Sequence, residues 1–168
     1  MWYVIQVYSG QEKCIKELIE QYGDCKNIED CKIPSYVKLK KQKEAWYPET
    51  KVLFPGYLFI KTQNIEELYQ QLKSIPKMTK LLGVGKEITP ISAEEERFLL
   101  TVGGDEMIID LSKGVIEHGK VKVLSGPLQG MEGCIKRIDR HRRMAWVNIC
   151  MFGRELVIPL ALEVIYAC

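Results

Sequence analysis

Histidine is scarce in this 168-residue chain, and none of its six cysteines forms a C-x-x-C pair. With only His118 and His141 as partners, a zinc site has weak support. No signal-peptide pattern precedes Trp2, and no apolar run approaches the ~20 residues of a membrane span. We therefore expect no metal, no cofactor and no membrane partner, and reduced, mostly buried cysteines in a cytoplasmic protein.

Neither sign of charge dominates the whole chain, whose formal net charge is only +2. Apolar residues at 46% and charged residues at 27% are typical of an ordinary globular protein. From Lys113 onward, however, nine Lys and Arg residues face five Asp and Glu residues, whereas residues 1–112 hold fifteen against seventeen. The basic excess is confined to the last third, which suggests a division of labour along the chain.

The first part of the chain alternates apolar runs with amphipathic segments. Met1–Tyr8 predicts a buried strand, Gln11–Tyr22 a helix, and Ile28–Pro34 a second strand. Ser9 and Glu12 have the spacing of a capping box at the start of that helix. The next segment, 35–51, is polar and predicts a hairpin with four lysines near its tip: Lys38, Lys40, Lys41 and Lys43. A solvated hairpin tip and a contact with a nucleic-acid backbone both remain open.

The elements that follow complete a recognisable order. Val52–Lys61 predicts a strand that Pro55-Gly56 interrupts, and Asn64 is a good N-cap for a second helix. Lys80–Val84 predicts a short strand, and Pro90–Val102 predicts a third helix with acidic residues in its first turn. With the hairpin inserted, this order predicts a ferredoxin-like domain with an added terminal helix over residues 1–103.

Short strands dominate the last part of the chain. Residues 104–112 are expected to be a linker, although Met107-Ile108-Ile109 is apolar enough to pack. Apolar residues alternate with other residues in the run from Ala145 to Met151. Five short antiparallel strands in about 55 residues predict a small SH3-like β-barrel over residues 113–168. The predicted fold class is therefore α+β.

A basic cluster interrupts this barrel pattern. Five basic or potentially basic side chains occupy seven positions: Arg137, Arg140, His141, Arg142 and Arg143. A small β scaffold that carries such a bend is suited to binding phosphate. We expect the RNA-binding set to extend to exposed cations and one aromatic ring on neighbouring segments: Lys120, Lys122, Lys136, Trp146 and Arg154. The alternative is a solvated turn that keeps the domain soluble.

The chemistry of the cluster limits what it can recognise. Phosphate contacts fix position and carry little sequence information, and a regular A-form helix hides its bases in a deep, narrow groove. Recognition of one hairpin therefore needs a bulge, loop or widened groove that Arg142 or Arg143 can enter. Two roles stay open for Trp146: stacking on a splayed base, or half-buried packing on its barrel strand. If four to six phosphates are engaged, log K should fall with log salt with a slope of roughly −3 to −5.

Three motifs in order resemble the NusG family of transcription elongation factors. They are the opening WYVIQVYSGQE, the middle LFPGYLFI, and a final GKVKVxxGPLxGxxG followed by FGRE. Trp2–Val102 resembles the NGN domain of that family and Gly119–Glu155 resembles its KOW domain. The resemblance implies that the NGN domain binds the clamp helices of RNA polymerase through Tyr8, Phe54 and Tyr57, for each of which burial in the core is the alternative. It also implies a monomer that acts beside the DNA, with a contact to the non-template strand.

The arginine-rich turn departs from the general factor of the family. In the general factor the FGR region of the barrel contacts a ribosomal protein or a termination factor, which would involve Phe152 and Arg154 here. The enrichment at Arg140–Arg143 is similar instead to LoaP, a specialised antitermination subgroup. That resemblance implies that the KOW domain binds a hairpin in the nascent leader RNA and recruits the factor for processive antitermination.

Two other classes of function are alternatives to this one. A ribosome-associated KOW protein would only bind RNA, but the full N-terminal domain with its LFPGY strand argues against it. An enzyme would use Cys134 or Cys150 with His141, yet no base, orienting group or oxyanion signature accompanies these residues. We therefore expect a transcription factor that is not an enzyme.

Overall fold

The computed structural model describes residues 1–21, 26–74 and 88–165, and its contacts divide the chain into two units. The first unit consists of Met1–Pro34 and Phe54–Glu96, and the second of Ser35–Leu53 and Arg97–Cys168. The helices are α1 (Glu12–Gln21), α2 (Ile65–Ser74) and α3 (Ala93–Gly103). The strands, in chain order, are β1 (Trp2–Gln6), β2 (Asp30–Lys32), β3 (Ser35–Gln42), β4 (Ala45–Val52), β5 (Tyr57–Lys61), β6 (Ile88–Pro90), β7 (Ile108–Ile109), β8 (Ser112–Glu117), β9 (Lys120–Ser125), β10 (Ile135–Asp139), β11 (Met144–Met151) and β12 (Arg154–Val164).

The first unit contains the predicted ferredoxin-like sheet. Its strands are ordered β2-β5-β1-β6, and all neighbours are antiparallel. The sheet and the helices α1 and α2 share one apolar core, formed by Ile5, Val7, Ile15, Ile19, Cys31, Leu58, Ile60, Leu68 and Leu72. The α+β class and the ferredoxin-like order are thus confirmed. The strand predicted at Lys80–Val84 and the predicted end of the first helix at Tyr22 lie outside the described residues.

The sequence predicts local capping at the start of α1 and of α2, and the structure shows it for α2. The Asn64 side chain accepts a hydrogen bond from the Glu67 backbone N–H at 3.2 Å, which confirms Asn64 as the N-cap of α2. The capping box predicted for Ser9 and Glu12 is wrong, because α1 begins at Glu12 itself. The Glu12 carboxylate instead accepts hydrogen bonds from the backbone N–H groups of Gly10 and Gly56.

The second unit combines two sheets. The five-stranded sheet has the order β10-β11-β12-β8-β9 and curls into a half-barrel. Residues 145, 147, 149 and 151 of β11 are buried, which confirms the predicted alternation. The expectation that all its strand pairs are antiparallel is wrong for β12 and β8, which are parallel. The reason is geometric: in five strands that reverse direction in turn, the first and the last run the same way, and here they are neighbours.

The three-stranded sheet joins the β3–β4 hairpin to the segment expected to be a linker. Its order is β4-β3-β7, and β7 pairs with β3 in parallel. Met107 and Ile109 are each 1% exposed, and the Ser35 N–H donates to the Met107 carbonyl at 2.9 Å. The apolar run in 107–109 therefore does pack, through pairing with β3. The domain boundaries at residues 103 and 113 stay a prediction.

One glycine in the half-barrel is fixed by close packing. Gly126 has φ +99°, and a Cβ there would lie 2.6 Å from the Ser112 Cα and 2.7 Å from the Leu111 carbonyl oxygen. Ser112 is fully buried, and its Oγ accepts the Leu128 N–H at 3.0 Å. The GPL sequence at this turn is therefore required for β8 to approach the loop after β9.

Candidate nucleic-acid interface

The arginine turn, residues 140–143, is the connection between β10 and β11. It is closed by a hydrogen bond from the Arg143 N–H to the Arg140 carbonyl at 3.3 Å, and Arg143 has φ +53°. The Asp139 carboxylate accepts the Arg142 N–H at 3.0 Å, and its other oxygen lies 3.9 Å from the Arg142 Nε. Arg140, His141 and Arg142 are exposed. The turn is therefore an ordered loop with cations directed outward.

Arg143 has different surroundings from the other cations of the turn. Its guanidinium lies 4.4 Å from the centroid of the Trp46 ring, and its Nη1 lies 3.1 Å from Glu163 Oε1. The Arg143 side chain is only 30% exposed. Both contacts hold the guanidinium against the β3–β4 hairpin and β12, so Arg143 contacts protein on two sides.

Trp146 also has a protein cation over its ring. The Arg137 guanidinium lies 4.0 Å from the ring centroid, and the two residues pair across β10 and β11. Trp146 is half-buried, while Arg137 is exposed. A base can stack on this face only after Arg137 moves, so the pair presents a guanidinium rather than an open aromatic platform.

The remaining predicted RNA-binding cations are exposed but are not all at the turn. Lys136 lies on β10 beside Arg137. Lys120 and Lys122 lie on β9, the strand at the other edge of the five-stranded sheet. Arg154 pairs with Met151 at the far end of β11, about 20 Å along the strand from the turn.

The acidic residues of the half-barrel have different partners. Glu132 accepts the Val123 N–H at 3.1 Å, and hydrogen bonds from its own and neighbouring backbone N–H groups lower the pKa of its carboxyl group. Asp139 and Glu163 do contact the turn. The sequence patterns do not identify three residues that contact the turn, namely Asp139, Glu163 and Trp46. Asp139, three residues before Arg142, carries a turn signal, whereas no local pattern points to the other two.

The predicted polymerase-binding residues lie where β1 ends and β5 begins. Tyr8 is 48% exposed, and Tyr57 is partly exposed. Phe54 is only 5% exposed, and its ring stacks on Phe59 with centroids 6.1 Å apart. The structure therefore places Phe54 in the core, while Tyr8 presents an aromatic ring to solvent.

The buried side chain of Glu12 binds the backbone of the turns next to Tyr8 and Tyr57. Glu12 is 3% exposed, and its carboxylate accepts the Gly56 N–H at 2.6 Å and the Gly10 N–H at 3.0 Å. Gly56 has φ +86°, and its carbonyl accepts the Val7 N–H at 2.8 Å. The two turns that flank Tyr8 and Tyr57 are thereby connected through one side chain.

We expect Glu12→Ala to lower the free energy of unfolding by about 2–4 kcal/mol, because two backbone N–H groups lose their acceptor. Chemical denaturation measures this loss, and Glu17→Ala on the exposed face of α1 is the matched control. A change below about 0.5 kcal/mol, as for an ordinary surface substitution, would show that these two hydrogen bonds have no stabilising role.

The proposed cysteine–histidine pairs are not brought together. His141 precedes the start of β11 and Cys150 lies near its end, about 20 Å away along the strand. Cys134 precedes β10, so it is also at the other end of the hairpin from His141. Burial raises the pKa of the Cys31 thiol to about 12, which keeps it protonated. Within residues 1–21, 26–74 and 88–165, no three His, Cys, Asp or Glu side chains are grouped to hold a metal ion.

The described fold and surface define an α+β protein with a ferredoxin-like unit, a curled β-sheet and an exposed cationic turn. Residues 1–100 match the family model described as "Transcription termination factor nusG". The Transcription termination/antitermination protein NusG of Helicobacter pylori is 29% identical over 168 residues, covering 95% of this chain and 93% of the relative. The protein of the same name from Bacillus subtilis is 28% identical, with the same coverage of both chains.

A solved structure of Thermotoga maritima NusG has the same fold, with a TM-score of 0.56 and 27% sequence identity over 96% of this chain and 92% of that one. The chain therefore belongs to the NusG family of transcription termination and antitermination factors. None of the helices in the described residues is long and apolar enough to span a membrane.

Proposed function

We propose that this NusG-family protein is an elongation factor that binds RNA polymerase through its first unit and promotes processive antitermination when its half-barrel binds a hairpin in the nascent leader RNA. The observation that carries the proposal is the arginine turn. Arg140, His141 and Arg142 extend from an ordered β-hairpin, and only Asp139 among the acids given above contacts the side chain of Arg142. Such a turn suits a widened or bulged RNA groove better than a flat protein surface.

The order of the turn supports recognition rather than loose attraction. The Asp139 carboxylate fixes the backbone of Arg142, so less conformational entropy is lost when its guanidinium binds. Arginine presents a planar fork that can pair with guanine O6 and N7, which the ammonium of lysine does less well. The arginine-rich composition of the turn supports our proposal that the protein acts as a LoaP-type antitermination factor.

The partner of the first unit is RNA polymerase in this proposal. Tyr8 and Tyr57 would contact the clamp helices, and Phe54 would support them from the core. Aromatic residues over a rigid, braced backbone are typical of interface hot spots. A contact with the non-template DNA strand belongs to the same proposal, because a factor bound at the clamp lies beside the transcription bubble.

The test is transcription by purified RNA polymerase past an intrinsic terminator, on templates with and without the natural leader upstream. We expect the protein to raise readthrough only on the template with the leader. A leader with the hairpin sequence scrambled is the matched control. Equal readthrough on all three templates would instead identify a general NusG-type factor, for which Phe152 and Arg154 would be the partner contacts to test.

A further inference from the structure

The second unit contains another cationic element, the β3–β4 hairpin. Residues opposite each other in an antiparallel pair share a face of the sheet. Lys41 pairs with Trp46, and Lys40 pairs with Tyr47, so these two neighbouring lysines lie on opposite faces. Both lysines are exposed.

Trp46 identifies which face adjoins the arginine turn. Its ring lies 4.4 Å from the Arg143 guanidinium, and Arg143 is itself paired with Glu163 at 3.1 Å. The face that carries Lys41 and Trp46 is therefore directed to the turn, and the face that carries Lys40 is directed away from it. Lys43, which has φ +55°, lies at the hairpin tip, two residues after Lys41.

The acids of the region leave this surface with a cationic excess. Glu163 is paired with Arg143, and Asp139 with Arg142. Glu49 pairs with Lys51 at 3.1 Å and, being opposite Lys38, lies on the face with Lys40. The exposed Glu44 beside Lys43 is the one further acid at the hairpin tip, within residues 40–46.

We propose that the hairpin tip and the arginine turn form one RNA-binding surface, in which Lys41 contacts a phosphate and Trp46 is the residue that positions the hairpin against Arg143. This inference rests on the proposed function, since it concerns the same RNA. Because Trp46 contacts Arg143, an RNA bound at the turn would lie beside the hairpin tip. Lysine, as a point charge on a flexible stem, suits such a contact.

The experiment compares Lys41→Gln with Lys40→Gln in the full chain, using a labelled bulged RNA stem–loop and salt titrations. One lost phosphate contact lowers affinity about fivefold at about 0.15 M salt and makes the log–log salt slope less steep by about 0.9. We expect this for Lys41→Gln and a change below about twofold for Lys40→Gln, although both remove one charge from the same strand. Equal effects of the two variants would overturn the proposal.

Trp46→Leu tests the positioning role without removing a charge. If Trp46 holds the hairpin at the turn, Trp46→Leu should reduce the salt slope by about 0.9, and adding Lys41→Gln should produce little further loss. An unchanged slope, or additive losses, would overturn the role of Trp46. Circular dichroism checks that each variant folds.

A third variant separates failure of this inference from failure of the proposed function. If Arg140→Ala with Arg142→Ala also leaves RNA affinity unchanged, the proposed function is wrong. If that double variant loses affinity while Lys41→Gln and Lys40→Gln behave alike, only the joint surface is wrong.

Discussion

Replacing Arg140 and Arg142 together by alanine is expected to lower the affinity for a bulged RNA stem–loop by about 25-fold at about 0.15 M salt. If each side chain binds one phosphate, its loss lowers the affinity about fivefold through counterion release, before any loss of contacts with bases is counted. The slope of log K against log salt should become less steep by about 1.8. Fluorescence anisotropy at several salt concentrations measures both quantities.

Arg143 is left out of this variant because its guanidinium contacts Trp46 and Glu163. Its loss would disturb the packing of the hairpin as well as the RNA site. The matched control is Lys13→Ala with Lys26→Ala, which removes two exposed cations from the first unit. RNA affinity that falls equally in both variants would indicate a diffuse effect of net charge, and the turn would have no special role.

Tyr8→Ala is expected to weaken binding to RNA polymerase by about 30-fold and to leave RNA affinity within about twofold. Truncation of an aromatic hot spot costs about 2 kcal/mol or more, which corresponds to that ratio. Tyr8 suits this test because 48% of it is exposed, so its removal leaves no cavity in the core. Surface plasmon resonance with immobilised core polymerase gives the affinity.

Tyr47→Ala is the control for Tyr8→Ala, since Tyr47 is a similarly exposed tyrosine, at 53%, in the second unit. Unchanged polymerase binding by Tyr8→Ala would remove Tyr8 from the docking surface. Phe54 cannot serve in the same test. A charge introduced at a side chain that is 5% exposed and stacked on Phe59 would destabilise the core, so lost binding would report unfolding.

Much of the fold follows from local sequence patterns. The apolar periods of β1, α1, β5 and α2, with the Asn64 cap, predict the ferredoxin-like order because each depends on neighbouring residues only. The prediction fails where a partner is distant in sequence. Glu12 has the spacing of a capping box with Ser9, yet its carboxylate is bound by Gly56, 44 residues away.

In the candidate site, too, the sequence predicts the local features and not the contacts between distant segments. The density of arginine at 140–143 and the turn chemistry of Asp139 can be read from the sequence, since both are local. The sequence does not show which of these cations are exposed to a partner. Arg142 and Arg143 are adjacent and chemically identical, but one is 75% exposed and the other 30% exposed.

The sequence by itself determined the family, the α+β order of elements and the presence of a basic turn. Only the tertiary structure decided that Phe54 is buried, that β8 and β12 are parallel, and that the β3–β4 hairpin contacts the turn through Trp46 and Arg143. The physical reason is that the spacing of apolar residues indicates which face of a strand or helix is buried. The choice of which elements meet depends on packing between segments far apart in the chain, and that information is absent from any local window.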